Sequence, residues 1–248
     1  MTSRRRFWIG MVAAVVAAGG ATYRLRRSRP APPADRLQRS PDGSPVLVAP
    51  LAHFGAADIA LAGGKGANLG ELVRAGFAVP PSFVVAAPAY ERFLAHTGLR
   101  VPLEAVLTGL DVEDLAALEK ASATIRDAFL AAQIPPEIAA AVRAHYAELG
   151  GGAVAVRSSA TGEDLPDASA AGQQETLLDV SGDEALLHAL HCCWASLWTA
   201  RAIAYRAHTG LGNAGATLAV VVQQMVPAEA AGVVFTLDPV GGDRGRLV

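Results

Sequence analysis

Lys65 stands among glycines in Gly63-Gly64-Lys65-Gly66, a composition suited to holding phosphate. Glycines let backbone N–H groups approach an anion, a helix start favours negative charge, and the ammonium adds its own. The segment is not a P-loop, because no Gly-Lys-Ser/Thr follows at the required spacing. Its plain alternative is a glycine-rich turn carrying a solvated lysine. A second candidate is Arg157, which closes the apolar run Val154-Ala155-Val156 and precedes Ser158-Ser159-Ala160. A strand end holds a side chain rigidly, and the guanidinium fork matches two phosphate oxygens at once. The competing reading is a structural ion pair with Glu163 or Asp164. Beyond it, Asp167-Ala168-Ser169-Ala170-Ala171-Gly172 lacks any bulky side chain, which suits either a loop that folds over a polyphosphate or an ordinary surface loop. In Val220-Val221-Val222-Gln223-Gln224-Met225-Val226, amides and a methionine interrupt an apolar run. An adenine slot needs that mixture, although a strand with a polar end also has it.

These residues need elements to hold them. The glycine segment opens a short helix with Leu69, Leu72 and Val73 on one face, and Gly76 is placed to end it in a left-handed cap. Pro80 and Pro81 precede a strand over 83–86, and a helix over 89–96 follows. Helical periodicity runs from Asp111 to about Ala132, where Ile134-Pro135-Pro136 breaks it and starts another helix that ends near Gly150. Segments 153–158 and 175–180 read as a hairpin with a long tip. Ser181 and Glu184 have capping-box spacing for a helix reaching His208, with Leu186, Leu187, Leu190, Trp194, Leu197 and Trp198 on its apolar side. The runs 218–226 and 232–236 read as a strand pair buried against helices.

The 248 residues, 52% of them hydrophobic, suffice for one large domain or two small ones. With 21 basic and 23 acidic residues, and no basic cluster past the first forty positions, nucleic acid is excluded as the expected partner. Cys192 and Cys193 are adjacent, so they cannot staple distant segments. They read as small, reduced and buried, which suits a cytoplasmic location. No metal-ligand spacing involves them or the six histidines.

The amino terminus is separate. Residues 7–23 carry no charge and are flanked by Arg4, Arg5 and Arg6 before and by Arg24, Arg26, Arg27 and Arg29 after. Such a stretch meets the lower limit of about 17 to 25 residues for a spanning helix. Three readings stand: a membrane anchor, an export signal similar to the twin-arginine type at Ser3-Arg4-Arg5-Arg6-Phe7, and a stretch with no role. The excess of arginines after the run favours an anchor whose following domain faces the cytoplasm. Residues 28–45, rich in Pro, Arg and Ser, read as a flexible linker.

Taken in order, Gly63-Gly64-Lys65-Gly66-Ala67-Asn68-Leu69-Gly70-Glu71-Leu72, Gly76-Phe77-Ala78-Val79-Pro80-Pro81-Ser82-Phe83, Val156-Arg157-Ser158-Ser159-Ala160-Thr161-Gly162-Glu163-Asp164, Ala171-Gly172-Gln173-Gln174-Glu175-Thr176, Val222-Gln223-Gln224-Met225-Val226 and Gly232-Val233-Val234-Phe235-Thr236 resemble one known domain. It is the nucleotide-binding domain shared by phosphoenolpyruvate synthase, pyruvate phosphate dikinase and rifampicin phosphotransferase. The resemblance covers about residues 50 to 245. It implies an α+β fold of the ATP-grasp type, with a first lobe over 46–215 and an incomplete second lobe over 216–248, preceded by the apolar helix. It also implies roles: Lys65 and Arg157 on the phosphates of ATP, Gly172 and Thr176 in the loop and strand covering them, and Gln223, Met225 and Val226 at the adenine. The implied chemistry is phosphorylation of a histidine by ATP and Mg²⁺, with positioning and charge neutralisation supplying most of the catalysis.

The resemblance also implies parts beyond Val248: acidic and amide residues for magnesium, a further arginine, a histidine-bearing domain and a substrate barrel. None of the six histidines sits in a motif like the family's phosphorylated one. The expected partner is therefore a separate chain or missing region with those parts, and a phosphotransferase inactive alone is the first expectation. A non-catalytic nucleotide-binding or membrane-tethered module, and a non-functional gene fragment, are the alternatives.

Overall fold

The computed structural model describes residues 11–12, 43–161, 175–210, 212–213, 215–232 and 234–235. In chain order the elements are β1 (Met11–Val12), β2 (Val48–Pro50), α1 (Ile59–Arg74), β3 (Ser82–Val85), α2 (Ala87–Thr97), α3 (Arg100–Leu107), α4 (Leu115–Ala131), α5 (Pro136–Glu148), β4 (Val154–Ala160), β5 (Thr176–Val180), α6 (Asp183–Ser196), α7 (Ala200–His208), β6 (Leu218–Gln224) and β7 (Val234–Phe235). The chain divides into two compact units, Arg26–Met225 and Met1–Leu25 with Val226–Val248.

In the second unit, β1 and β7 pair antiparallel, Met11 opposite Phe235 and Val12 opposite Val234. The apolar helix expected over 7–23 otherwise lies outside the described residues, and Met11–Val12 is extended rather than helical. Among the described residues no helix is long and apolar enough to cross a membrane.

The first unit is built on a five-stranded sheet in the order β2-β3-β6-β4-β5. Every neighbouring pair in it is antiparallel. The hairpin of β4 and β5 is present as the sequence suggests. The strand expected to begin a second lobe at 216 is instead the middle of this sheet, bonded to β3 on one side and β4 on the other. Its apolar run has a direct cause: a strand with neighbours at both edges and layers on both faces keeps almost no wet surface, and Leu218 to Val222 are at most 2% exposed.

Successive strand residues face opposite sides. On one side Phe83, Val85, Val154, Val156, Leu218, Val220 and Val222 pack with Tyr90, Phe93, Phe129, Ile138, Leu186, Leu190, Trp194 and Trp198 from the helices. Asp114 caps α4, its carboxylate accepting from the Ala116 and Ala117 amides at 3.0 Å each. The helix expected to run unbroken to His208 is two helices. Thr199 begins the second by accepting from the Ala202 amide at 3.3 Å. The bend lets Trp198 enter the core, where its Nε1 donates to the Tyr90 hydroxyl at 2.9 Å. Helix α3 has no counterpart among the elements that the sequence predicts.

The opposite side of the sheet is covered by α1. Ala49, Val84, Ala219 and Val221 form a small core there with Leu51, Phe54 and Ala62. The face of α1 that buries is not Leu69, Leu72 and Val73, which are half-buried, but Ala62, Gly63, Gly64, Gly66, Ala67 and Gly70. Small residues let the helix approach closely. A Cβ on Gly70 would lie 2.1 Å from the Phe54 carbonyl oxygen, and one on Gly66 would touch Val84 and Val221 at 3.6 Å. Gly76 ends the helix as expected: its φ is +83°, and the Phe77 amide donates back to the Leu72 carbonyl at 3.0 Å.

Candidate functional site

The site begins with the alternation along β4. Ala155, Arg157 and Ser159 lie on the α1 side of the sheet. Arg157 is opposite Val221 on β6 and Thr176 on β5, and Ala155 is opposite Gln223, which is itself opposite Ser82 on β3. Residues directly opposite in an antiparallel pair share a face. The polar group Arg157, Thr176 and Gln223 thus continues the surface whose apolar end α1 covers. Arg157 Nη1 donates to Gln223 Oε1 at 3.4 Å. Thr176 is exposed, whereas Arg157 and Gln223 are half-buried.

Lys65 arrives from α1. That helix is kinked at Gly63, whose φ of 66° and ψ of 173° belong to a region open essentially to glycine alone. The chain is helical again from Gly64 onward, and Lys65 Nζ donates to the Ser158 carbonyl at 3.0 Å. The lysine is therefore held on the residue next to Arg157. A sequence separation of more than ninety positions so closes at β4, where Arg157 stands in mid-strand rather than at the strand end that the sequence suggests.

Electrostatics sharpen the picture. Burial lowers the basicity of Arg157, yet a guanidinium stays charged in proteins. Its acceptor among the described residues is the neutral amide of Gln223. A partly desolvated cation beside a neutral acceptor favours an anion that can bind in its place.

The remaining sequence candidates divide. The Met225 amide donates to the Ala153 carbonyl at 2.9 Å, which ties the residue after β6 to the start of β4. Val226 is the first residue of the other unit. Its carbonyl accepts from the Ala228 amide at 2.8 Å. Gly172 lies outside the described residues, as do Glu163 and Asp164, the alternative partners of Arg157. Among the described residues no group of three or more His, Cys, Asp or Glu could hold a metal ion.

The sequence assigns no separate role to Ser158 and Ser159, which follow Arg157. Ser158 supplies the carbonyl that holds Lys65, and its hydroxyl donates to the Glu175 carbonyl at 3.1 Å. Ser159 donates to the Ala62 carbonyl at 2.8 Å and accepts from the Gly66 amide at 3.2 Å. Both serines are at most 1% exposed. The available signal was a pair of hydroxyls continuing an apolar strand, because buried polar groups need partners.

The glycine-kinked helix thus sets Lys65 against β4 beside Arg157. The chain belongs to the pyruvate phosphate dikinase AMP/ATP-binding domain family, whose model matches residues 59–248. It is 42% identical over 232 residues to a probable phosphoenolpyruvate synthase of Methanothermobacter thermautotrophicus, covering 91% of this chain and 33% of that protein. It is 45% identical over 199 residues to a phosphoenolpyruvate synthase of Aeropyrum pernix, covering 76% and 24%. It is 46% identical over 200 residues to a rifampicin phosphotransferase of a Streptomyces species, covering 80% and 23%. The chain thus spans about a quarter to a third of the length of these relatives.

Proposed function

We propose that this chain binds ATP and presents it for transfer of a phosphoryl group to a histidine carried outside residues 1–248, as part of a phosphoenolpyruvate synthase-like phosphotransferase. The observation that carries the reading is the joining of α1 to β4, which sets Lys65 on Ser158 next to Arg157. ATP supplies the phosphoryl group. Lys65 and Arg157 bind and neutralise the polyphosphate, and their half-buried setting strengthens each charge interaction. Thr176 borders the phosphates with Gly172, while Gln223, Met225 and Val226 meet the adenine. Magnesium, when bound, would supply further charge neutralisation on the phosphates. The arrangement is of the ATP-grasp type, with the sheet of residues 46–225 as one lobe. A cytoplasmic location fits the use of ATP.

Calorimetric titration with ATP and magnesium tests the binding step. Mixing with a chain that carries the family's histidine domain, followed by an assay for acid-labile phosphohistidine, tests the transfer. Micromolar ATP binding and phosphohistidine only in the mixture are expected. ATP binding with no phosphohistidine in any mixture would favour a non-catalytic nucleotide module instead, and absence of ATP binding would sink both readings.

A further inference from the structure

We propose that Ser159 is a positioning residue for nucleotide binding, because its hydroxyl replaces a broken hydrogen bond inside α1 and thereby sets where Lys65 is held. The proposal rests on the nucleotide reading given above.

In an unbroken α-helix the amide of residue 66 would bond the carbonyl of residue 62, four positions back. The conformation of Gly63, φ 66° and ψ 173°, interrupts that ladder. Ser159 Oγ fills the break from another element: it donates to the Ala62 carbonyl at 2.8 Å and accepts from the Gly66 amide at 3.2 Å. A single hydroxyl so satisfies both ends of the severed bond. Ser159 is completely buried, so water cannot take over if the hydroxyl is removed. An inserted side chain is a recognised cause of a sharp helix bend.

The fit is tight in both directions. A Cβ at position 63 would lie 2.1 Å from the Ser159 carbonyl oxygen, so only glycine allows the strand to come this close. The next residue along each element is also joined, Lys65 Nζ to the Ser158 carbonyl at 3.0 Å. Two consecutive residues of α1 are thus laced to two consecutive residues of β4, and Arg157 is the following one. The Ser159 link is the buried member of this pair, whereas the lysine link is half-buried. The buried hydroxyl therefore fixes the spacing of Lys65 and Arg157. The Gly66 amide, a first-turn donor that could otherwise meet a phosphate, is already used by Ser159.

The full chain carrying Ser159→Ala, Ser159→Cys or Ser159→Thr tests this, with ATP affinity measured in the cold below each thermal midpoint. The cysteine variant places a larger atom there that is only a weak donor and acceptor. Ser159→Ala and Ser159→Cys should each weaken ATP binding by about tenfold, and Ser159→Thr by less than about twofold. On a Lys65→Met background the Ser159→Cys loss should shrink to less than about twofold, because residues acting through one another are not additive. Amide exchange at Gly66 should speed up in the alanine and cysteine variants. If wild type binds ATP and Ser159→Cys binds it equally well, or loses as much without Lys65 as with it, the proposal is overturned. If wild type binds no ATP, the reading beneath it fails instead.

Discussion

Arg157 and Gln223 meet diagonally across β4 and β6, with the guanidinium Nη1 donating to the amide Oε1 at 3.4 Å. That bond is long for its type, and its acceptor carries no charge to balance the arginine. Replacing Arg157 by Met should weaken ATP binding by about 1.5–3 kcal/mol, the range for hydrogen bonds to charged groups. The thermal midpoint should change little, because the variant also removes a desolvated cation. Calorimetry and a melting curve check both halves. A variant that binds ATP like wild type would remove Arg157 from the site.

The tie between Trp198 and Tyr90 predicts a purely structural effect. Both residues are at most 1% exposed, and the indole Nε1 donates to the phenol at 2.9 Å. Tyr90→Phe leaves that N–H buried and unpaired, which costs about 1–3 kcal/mol. Urea unfolding should show the loss as a lower midpoint with an unchanged slope, and ATP affinity should stay as it is.

Glycine replacements should rank by what surrounds them. Gly70→Ala drives a methyl group to 2.1 Å from the Phe54 backbone oxygen, whereas Gly109, at φ +73°, has open space. Gly109→Ala should cost about 1–2 kcal/mol through backbone conformation alone. Gly70→Ala should cost more than about 3 kcal/mol, because the Phe54 backbone, in the turn that follows β2, must move. Equal unfolding midpoints for the two variants would contradict the close packing of α1.

Stability should fall as the solution is acidified. His191 has its pKa lowered, first by burial and then by the nearby His188, and His53 is lowered by burial and by His145. Below their ordinary value of 6.5 the unfolded chain binds more protons than the folded one. Their contribution is therefore complete above 6.5 and is lost as pH drops through that value toward the folded pKa. Exposed His208 behaves oppositely, raised by the Ala204 carbonyl and by Glu113. Its small contribution is present below 6.5 and disappears as pH rises through its folded value. Histidine titration by NMR should place His208 above His191, and the melting temperature should be lower at pH 5.5 than at pH 7.5.

Much of this arrangement was legible in the residues. The β4–β5 hairpin, the Gly76 cap and the proline-started α5 follow local rules that act within a few positions. The burying face of α1 escaped that approach, since periodicity counts large apolar residues and this interface uses Ala62, Gly66 and Gly70 to bring backbones together. Bonding partners of β6 escaped it too. An apolar run announces burial but not which strands lie beside it. At the candidate site, motif order singles out Lys65 and Arg157, which the fold brings to neighbouring positions, while the Ser159 contacts span a gap in a helix ladder that no local pattern encodes.

The place of β6 has a consequence for the nascent chain. The strand that fills the centre of the sheet is the last of its five to be synthesised. On the ribosome, β2 with β3 and β4 with β5 must wait as two separate ribbons, each lacking the neighbour that joins them. Contacts between such distant segments are slow to form. Until residues 218–224 emerge, the strand edges of β3 and β4 are open to chaperones and to mispairing with other chains.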